Sequence, residues 1–248
     1  MSGQRVGIVG DKRAVEVIEA AGAEPIEDMS TFDNVAFVVA YAEPAIRDLA
    51  DVGVDVPILA VDVESGVPSI ELDRLEASIK RIQRDEPPTV GHPVVAVTGS
   101  FPSVRTVFDV ALMAAEPARI SEFSVCCDGE RVSRFRADGV VASTPAGSTG
   151  YNRNAGGPVI EPGLGVVSVV PIAPFATAAG HWVLRIDSVE FRIERDETPV
   201  ELLADGRREL LVEAGDPITL STTGTIETYV LADSAGAFGN RSGPTVDE

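Results

Sequence analysis

Residues 5–10, RVGIVG, form a short apolar run, and Ala14, Val17, Ile18 and Ala21 then recur at the spacing of one helical face, so the chain opens on a predicted βα unit. The run at 32–41, FDNVAFVVAY, lacks polar alternation and predicts a central parallel strand covered on both faces. A short helix from Pro44 to about Asp51 is expected next, with Pro in the first turn, where its missing N–H costs nothing. A third strand is predicted at 57–63. Leu72, Leu75, Ile79 and Ile82 then line one side of a helix that stops before Pro87 and Pro88. Strands alternating with helices at this rhythm predict a small, three-layer, mostly parallel α/β domain over residues 1–88.

After Pro88 the period changes. In SVEFRIER, Val189, Phe191 and Ile193 alternate with Glu190, Arg192 and Glu194, the mark of a strand with one wet face. The pairs Asp128-Gly129 and Asp205-Gly206 separate such segments and predict tight hairpins. Residues 89–232 therefore read as a mainly antiparallel β domain, and the small, polar stretch 233–248 as a flexible tail. No internal repeat is evident.

Composition narrows the function classes. The 248 residues hold 20 Lys plus Arg against 39 Asp plus Glu, a formal net charge of -19, which argues against nucleic acid as a partner, since phosphate neutralisation needs a basic surface. At 44% hydrophobic residues the chain can nevertheless build a core. Lys12 and Lys80 are the only lysines. This acidic, lysine-poor pattern resembles proteins of salt-loving organisms, in which high salt screens self-repulsion. Cys126 and Cys127 are neighbours and, on a strand, point to opposite faces, so no disulfide framework is expected. The N-terminus lacks the blocks of a signal peptide. The uncharged stretch 163–184 is interrupted by Pro171, Pro174 and His181, so no membrane span is predicted and the expected location is the cytoplasm. With two histidines in all, no histidine metal cluster is expected, and no residue is assigned as a metal ligand.

The densest chemical signal is 137–162, ADGVVASTPAGSTGYNRNAGGPVIEP. It sets Ser143, Thr144, Ser148, Thr149 and Tyr151 among Gly147, Gly150, Gly156 and Gly157 directly after a strand-like GVVAS. Glycines let a backbone approach a ligand, and free N–H groups and hydroxyls can meet ribose, base or phosphate; plain loops have the same composition.

The string TPAGSTGY followed by AGGP, with PIAP at 171–174, closely resembles the signature of the NAD kinase family. The resemblance runs over roughly 5–230 and is strongest at 137–175. It implies a Rossmann-like α/β domain that holds the phosphoryl donor and a β-rich domain that binds NAD. The implied reaction moves a phosphoryl group from ATP or polyphosphate to the 2′-hydroxyl of the adenosine ribose of NAD, giving NADP. It also implies a divalent metal (Mg or Mn) and a homodimer or homotetramer. Carried over by position, Asp109, Asp138, Thr144, Ala146, Ser148, Thr149, Gly150, Tyr151 and Asn154 would bind the dinucleotide, with Tyr151 stacked near the adenosine.

Four motifs depart from those of the family. A GVN segment after the third strand falls on Ala60, Val61 and Asp62. The family's GGDG loop falls on Ala40, Tyr41, Ala42 and Glu43, so the position of the catalytic aspartate is Ala42. An Asn-Glu pair falls on Phe108 and Asp109, and the histidine of PICPH falls on Phe175. Glu43 is then the candidate catalytic base from one position along. Gly10, Lys12 and Arg13, at the first strand-to-helix turn, are candidates for the donor phosphates; they read equally as solvated first-turn residues. Loss of the glycine loop leaves a non-catalytic NAD(P)-binding protein as the competing reading.

Overall fold

The computed structural model describes residues 4–116, 119–175 and 180–238. In chain order its elements are β1 (Arg5–Val9), α1 (Arg13–Ala20), β2 (Glu24–Ile26), β3 (Phe37–Tyr41), α2 (Ala42–Val52), β4 (Ile58–Val61), β5 (Ser69–Ile70), α3 (Leu75–Arg84), β6 (Thr89–Thr98), β7 (Val104–Thr106), β8 (Asp109–Ala114), β9 (Ser121–Cys127), β10 (Glu130–Ala137), β11 (Gly139–Ser143), α4 (Tyr151–Asn154), β12 (Val166–Ile172), β13 (Trp182–Arg185), β14 (Val189–Arg195), β15 (Val200–Ala204), β16 (Arg207–Val212) and β17 (Ile218–Tyr229). They form two compact units, Met1–His92 with Thr225–Glu248, and Pro93–Gly224.

The first unit is a parallel sheet in the order β2, β1, β3, β4, with β5 and the end of β17 beside β4. Ala14 and Ile18 of α1 and Leu75, Ile79 and Ile82 of α3 join Val6, Ile8, Phe37, Val39 and Leu59 in one core, while α2 buries Ala45, Ile46, Leu49 and Ala50. The expected helical stripes are thus the buried ones. The predicted strand over 32–41 is shorter. Asp28 accepts from Ser30 N–H (3.0 Å) and winds Met29–Asn34 into a 3₁₀ turn, leaving Phe37–Tyr41 extended. The helix expected from Pro44 begins at Ala42 and ends where Gly53, at φ 77, donates to Leu49 O.

The expected boundary lies at 88/89 with a second domain reaching 232, whereas the chain returns to the first unit at Thr225. Its return is fixed by Thr228, which pairs with Ile58 and whose Oγ1 lies 2.9 Å from Nε2 of fully buried His92. Burial lowers the His92 pKa to about 4. Of the expected tail, residues 239–248 lie outside the described residues. Within it, Ala235 exchanges two backbone hydrogen bonds with Ser69.

The second unit is antiparallel. One sheet runs β10, β9, β14 and the start of β17; a second runs β13, β12, β11, β8, β15, β16. Their facing sides share a core that includes Phe123, Val125, Phe191, Ile193, Val140, Val167 and Leu202. SVEFRIER behaves as its alternation predicts, with Val189, Phe191 and Ile193 buried. Both predicted hairpins form. Asp128 and Gly129 (φ 52 and 79) join β9 to β10, and Asp205 and Gly206 (φ 49 and 72) join β15 to β16, the left-handed pairs a two-residue loop needs. Among the described residues no helix is long and apolar enough to cross a membrane.

Candidate functional site

The signature segment leaves the end of β11 and is held by its own hydroxyls. Thr144 N–H donates to Phe108 O (2.8 Å), and Thr144 Oγ1 donates to Val107 O (2.5 Å). Ser148 Oγ donates to Pro145 O (2.8 Å) and accepts Ile160 N–H (2.9 Å). Asn152 Nδ2 ties Ser148 O (3.0 Å) to Pro158 O (2.8 Å). A Cβ on Gly147 would stand 2.1 Å from Phe108 O, so only glycine permits this approach.

Beneath this segment, Asp205 clamps residues 106–109. Its carboxylate accepts the Thr106 hydroxyl and the N–H groups of Val107 (3.1 Å), Phe108 (2.8 Å) and Asp109 (3.1 Å). Sequence reasoning placed Asp205 only as a hairpin residue and overlooked Asn152. A turn aspartate gives no local sign that it will meet a loop almost a hundred residues away.

A cavity of about 460 Å³ opens beside the segment, lined by Tyr151, Asn154, Ala155, Pro171, Ile172, Ala173, Pro174 and His181. Of the expected dinucleotide residues, Tyr151 and Asn154 line it. Asp138 is not among the lining residues; its N–H donates to the carbonyl of Ile172, which is one of them (3.0 Å), and its own carbonyl accepts from Ala114 N–H (2.8 Å). Gly150 is exposed at the start of α4, and Thr149 keeps a buried Oγ1 without a hydrogen-bond partner. Thr144, Ala146 and Ser148 are buried, and the two hydroxyls are spent on the loop's own backbone. Those two hydroxyls shape the loop. Asp109 starts β8, carries one of the N–H groups held by Asp205, and accepts Thr106 Oγ1 at its carbonyl (2.7 Å).

In the first unit, β1 and β3 are adjacent parallel strands whose order reverses between them, the place where such sheets offer a crevice at the strand ends. Glu43 is half-buried in the first turn of α2. Ala42, at the family's aspartate position, sits at φ 62, a left-handed conformation that strains a residue with a Cβ. Gly10 (φ 109) and Lys12 line a cavity of about 180 Å³ together with Glu27. Arg13 is not open for an anion. Asp11 accepts its backbone N–H (2.8 Å) and its guanidinium (2.5 Å), and the guanidinium also lies over the Tyr41 ring at 5.9 Å. The hydrogen bonds from Arg13 hold the Asp11 carboxyl below its ordinary range. The helix start expected to take a phosphate is thus occupied by the chain's own carboxylate. Asp62 (φ 50) accepts Leu72 N–H (3.2 Å) and serves its turn.

Among the described residues no group of three or more His, Cys, Asp or Glu side chains is arranged to hold a metal ion. The donor set does not fit a resident divalent metal. Burial raises the Cys126 pKa, the opposite of what an activated thiol requires.

The family model described as ATP-NAD kinase C-terminal domain matches residues 109–231. The NAD kinase of Methanosarcina barkeri is 36% identical over 113 residues, which are 45% of this chain and 41% of that protein. The chain thus aligns with about two-fifths of that curated relative's length. Among solved structures, an NAD kinase from Archaeoglobus fulgidus in complex with ATP superposes with a TM-score of 0.74 at 24% identity, covering 91% of this chain and 92% of that one. Yeast NADH kinase complexed with NADH gives 0.78 at 16% identity, covering 100% and 91%. At these identities the structures speak for the fold, which is shared almost end to end. With the family's C-terminal model matched from β8 through the end of β17, and its signature loop built on β11, the chain carries the C-terminal domain of the NAD kinase family.

Proposed function

We propose that the chain phosphorylates the 2′-hydroxyl of the adenosine ribose of NAD, giving NADP. The observation that carries this reading is the signature loop, braced from within and edged by a cavity bearing Tyr151 and Asn154, in the segment matched to the family. In the reaction the ribose oxygen attacks the terminal phosphorus of ATP or polyphosphate. The P–O bond to the shortened donor breaks, and the hydroxyl proton passes to a carboxylate, for which Glu43 is the candidate. Asp138, Thr149, Gly150, Tyr151 and Asn154 meet the dinucleotide, and Asp109, Thr144, Ala146 and Ser148 hold the loop in shape. Gly10 and Lys12 remain candidates for the donor phosphates; Arg13 would first have to leave Asp11. A divalent ion, magnesium or manganese, would be brought by the donor phosphates rather than held by a set of protein ligands, and would neutralise part of their charge. The site operates in the cytoplasm, in a homodimer or homotetramer.

One observation favours a second reading. Ala42 stands where the family's aspartate would act, so a dinucleotide-binding protein without turnover is the alternative. The test is to incubate the protein with NAD, magnesium or manganese, and either ATP or polyphosphate, and to quantify NADP. Molar KCl is used because the acidic composition reads as a salt adaptation. NADP formed with one donor supports the kinase and names that donor. No NADP with either donor, together with a thermal shift on adding NADP, leaves the binder.

A further inference from the structure

The cavity beside the signature loop carries an imidazole that no motif predicted. Trp182, the first residue of β13, turns into the core, where it stacks on Phe135 with ring centroids 6.0 Å apart. Successive side chains of extended backbone alternate faces, so its neighbour His181 is directed to the opposite side, where it lines the cavity. The contact is close. A Cβ on Gly156, itself at φ 87, would stand 3.4 Å from His181 Cε1. Phe175, in contrast, is 73% exposed and lies beneath the Arg136 guanidinium, outside the cavity lining.

The remaining walls suit a flat ring. Pro171, Ile172 and Pro174 are apolar, and Ala173 between them is held at φ 46, a strained turn off β12 of the kind that accumulates at binding sites. Tyr151 supplies an aromatic ring that is 45% exposed, and Asn154 an amide. Apolar side chains set among at least as much polar surface, in a volume within the roughly 300–1,000 Å³ of ligand pockets, describe a site for a planar heteroaromatic group with polar edges.

We propose that His181 is a binding residue of this cavity and that, with Tyr151, it walls the place of a heteroaromatic ring of the dinucleotide. This rests on the dinucleotide reading above. The chain has a single tryptophan, Trp182, adjacent to His181, so quenching of its emission by energy transfer to the dihydronicotinamide reports NADH binding.

The probe is NADH, titrated into the wild type, His181→Ala and His181→Tyr. The inference expects His181→Ala to weaken NADH about tenfold, and to raise the KM for NAD by a similar factor with kcat within about twofold. His181→Tyr, which restores a ring, is expected to stay within about twofold of the wild type. Because His181 is exposed, both variants should melt with the wild type. Wild-type affinity in His181→Ala overturns the inference alone. A wild type that binds none of NADH, NAD or NADP overturns the dinucleotide reading, and the inference with it.

Discussion

The loop after β11 and the turns after β1 and β3 are all ends of strands where a nucleotide's polar parts could be met, yet they are finished differently. The β11 loop buries Thr144 and Ser148, spends their hydroxyls on its own backbone and rests on the Asp205 clamp. The turns of the first unit carry Glu43 and Arg13 nearer to solvent, close their helix start with Asp11 and hold Ala42 in a strained conformation. Internal bracing fixes a surface that a ligand can use repeatedly. A turn that neutralises itself must rearrange before it can hold phosphate. Under the proposed function, the comparison teaches that recognition of the dinucleotide would be preorganised, whereas handling of the donor would have to be assembled.

The comparison breaks most readily at the clamp. Asp205→Ala leaves the N–H groups of Val107, Phe108 and Asp109 without the carboxylate that accepts them, and is expected to cost about 3–5 kcal/mol, read by urea denaturation of the second unit. A loss below about 1 kcal/mol would mean that the loop does not depend on it.

The first unit has its own weak point in His92. Its folded pKa is about 4 against 6.5 for a free imidazole. Above pH 6.5 both states are neutral and the residue adds no pH dependence. Between 6.5 and about 4 only the unfolded chain takes the proton, so stability falls as pH falls, by about 3 kcal/mol in all, and levels off below. The difference in stability between wild type and His92→Gln across this window should show that slope; parallel curves would remove it.

The smallest effect lies at Ala42. Glycine there should relieve about 1 kcal/mol of left-handed strain and lose about half of that to the freer unfolded chain, for a net gain near 0.5 kcal/mol. A destabilised Ala42→Gly variant would show that the conformation is not strained.

How much of this was legible depends on the range of the forces involved. Helical stripes such as Leu75, Ile79 and Ile82, the alternation of Val189, Phe191 and Ile193, and the Asp-Gly hairpins are local and could be read directly. The 3₁₀ turn that shortens β3 was hidden because Phe32 is as apolar as a strand residue, and its cap, Asp28, lies outside the apolar run. The site was legible as a segment and less so as residues. Whether Thr144 faces a ligand or Val107 O depends on where β8 begins, and only the fold decides that His181 shares a cavity with Tyr151. The self-capping of Arg13 by Asp11 was within reach of the sequence, since an aspartate two residues before a helical arginine can accept its N–H.

The central claim is that this chain still carries out the family's phosphoryl transfer, with its base moved to Glu43. The most direct measurement is NADP formation by wild type and Glu43→Gln under identical conditions, with NADP affinity determined for both. The account predicts turnover by the wild type, a loss of about 100-fold or more in the variant, and unchanged NADP binding. A variant as fast as the wild type, or a wild type that makes no NADP from ATP or polyphosphate, would contradict it.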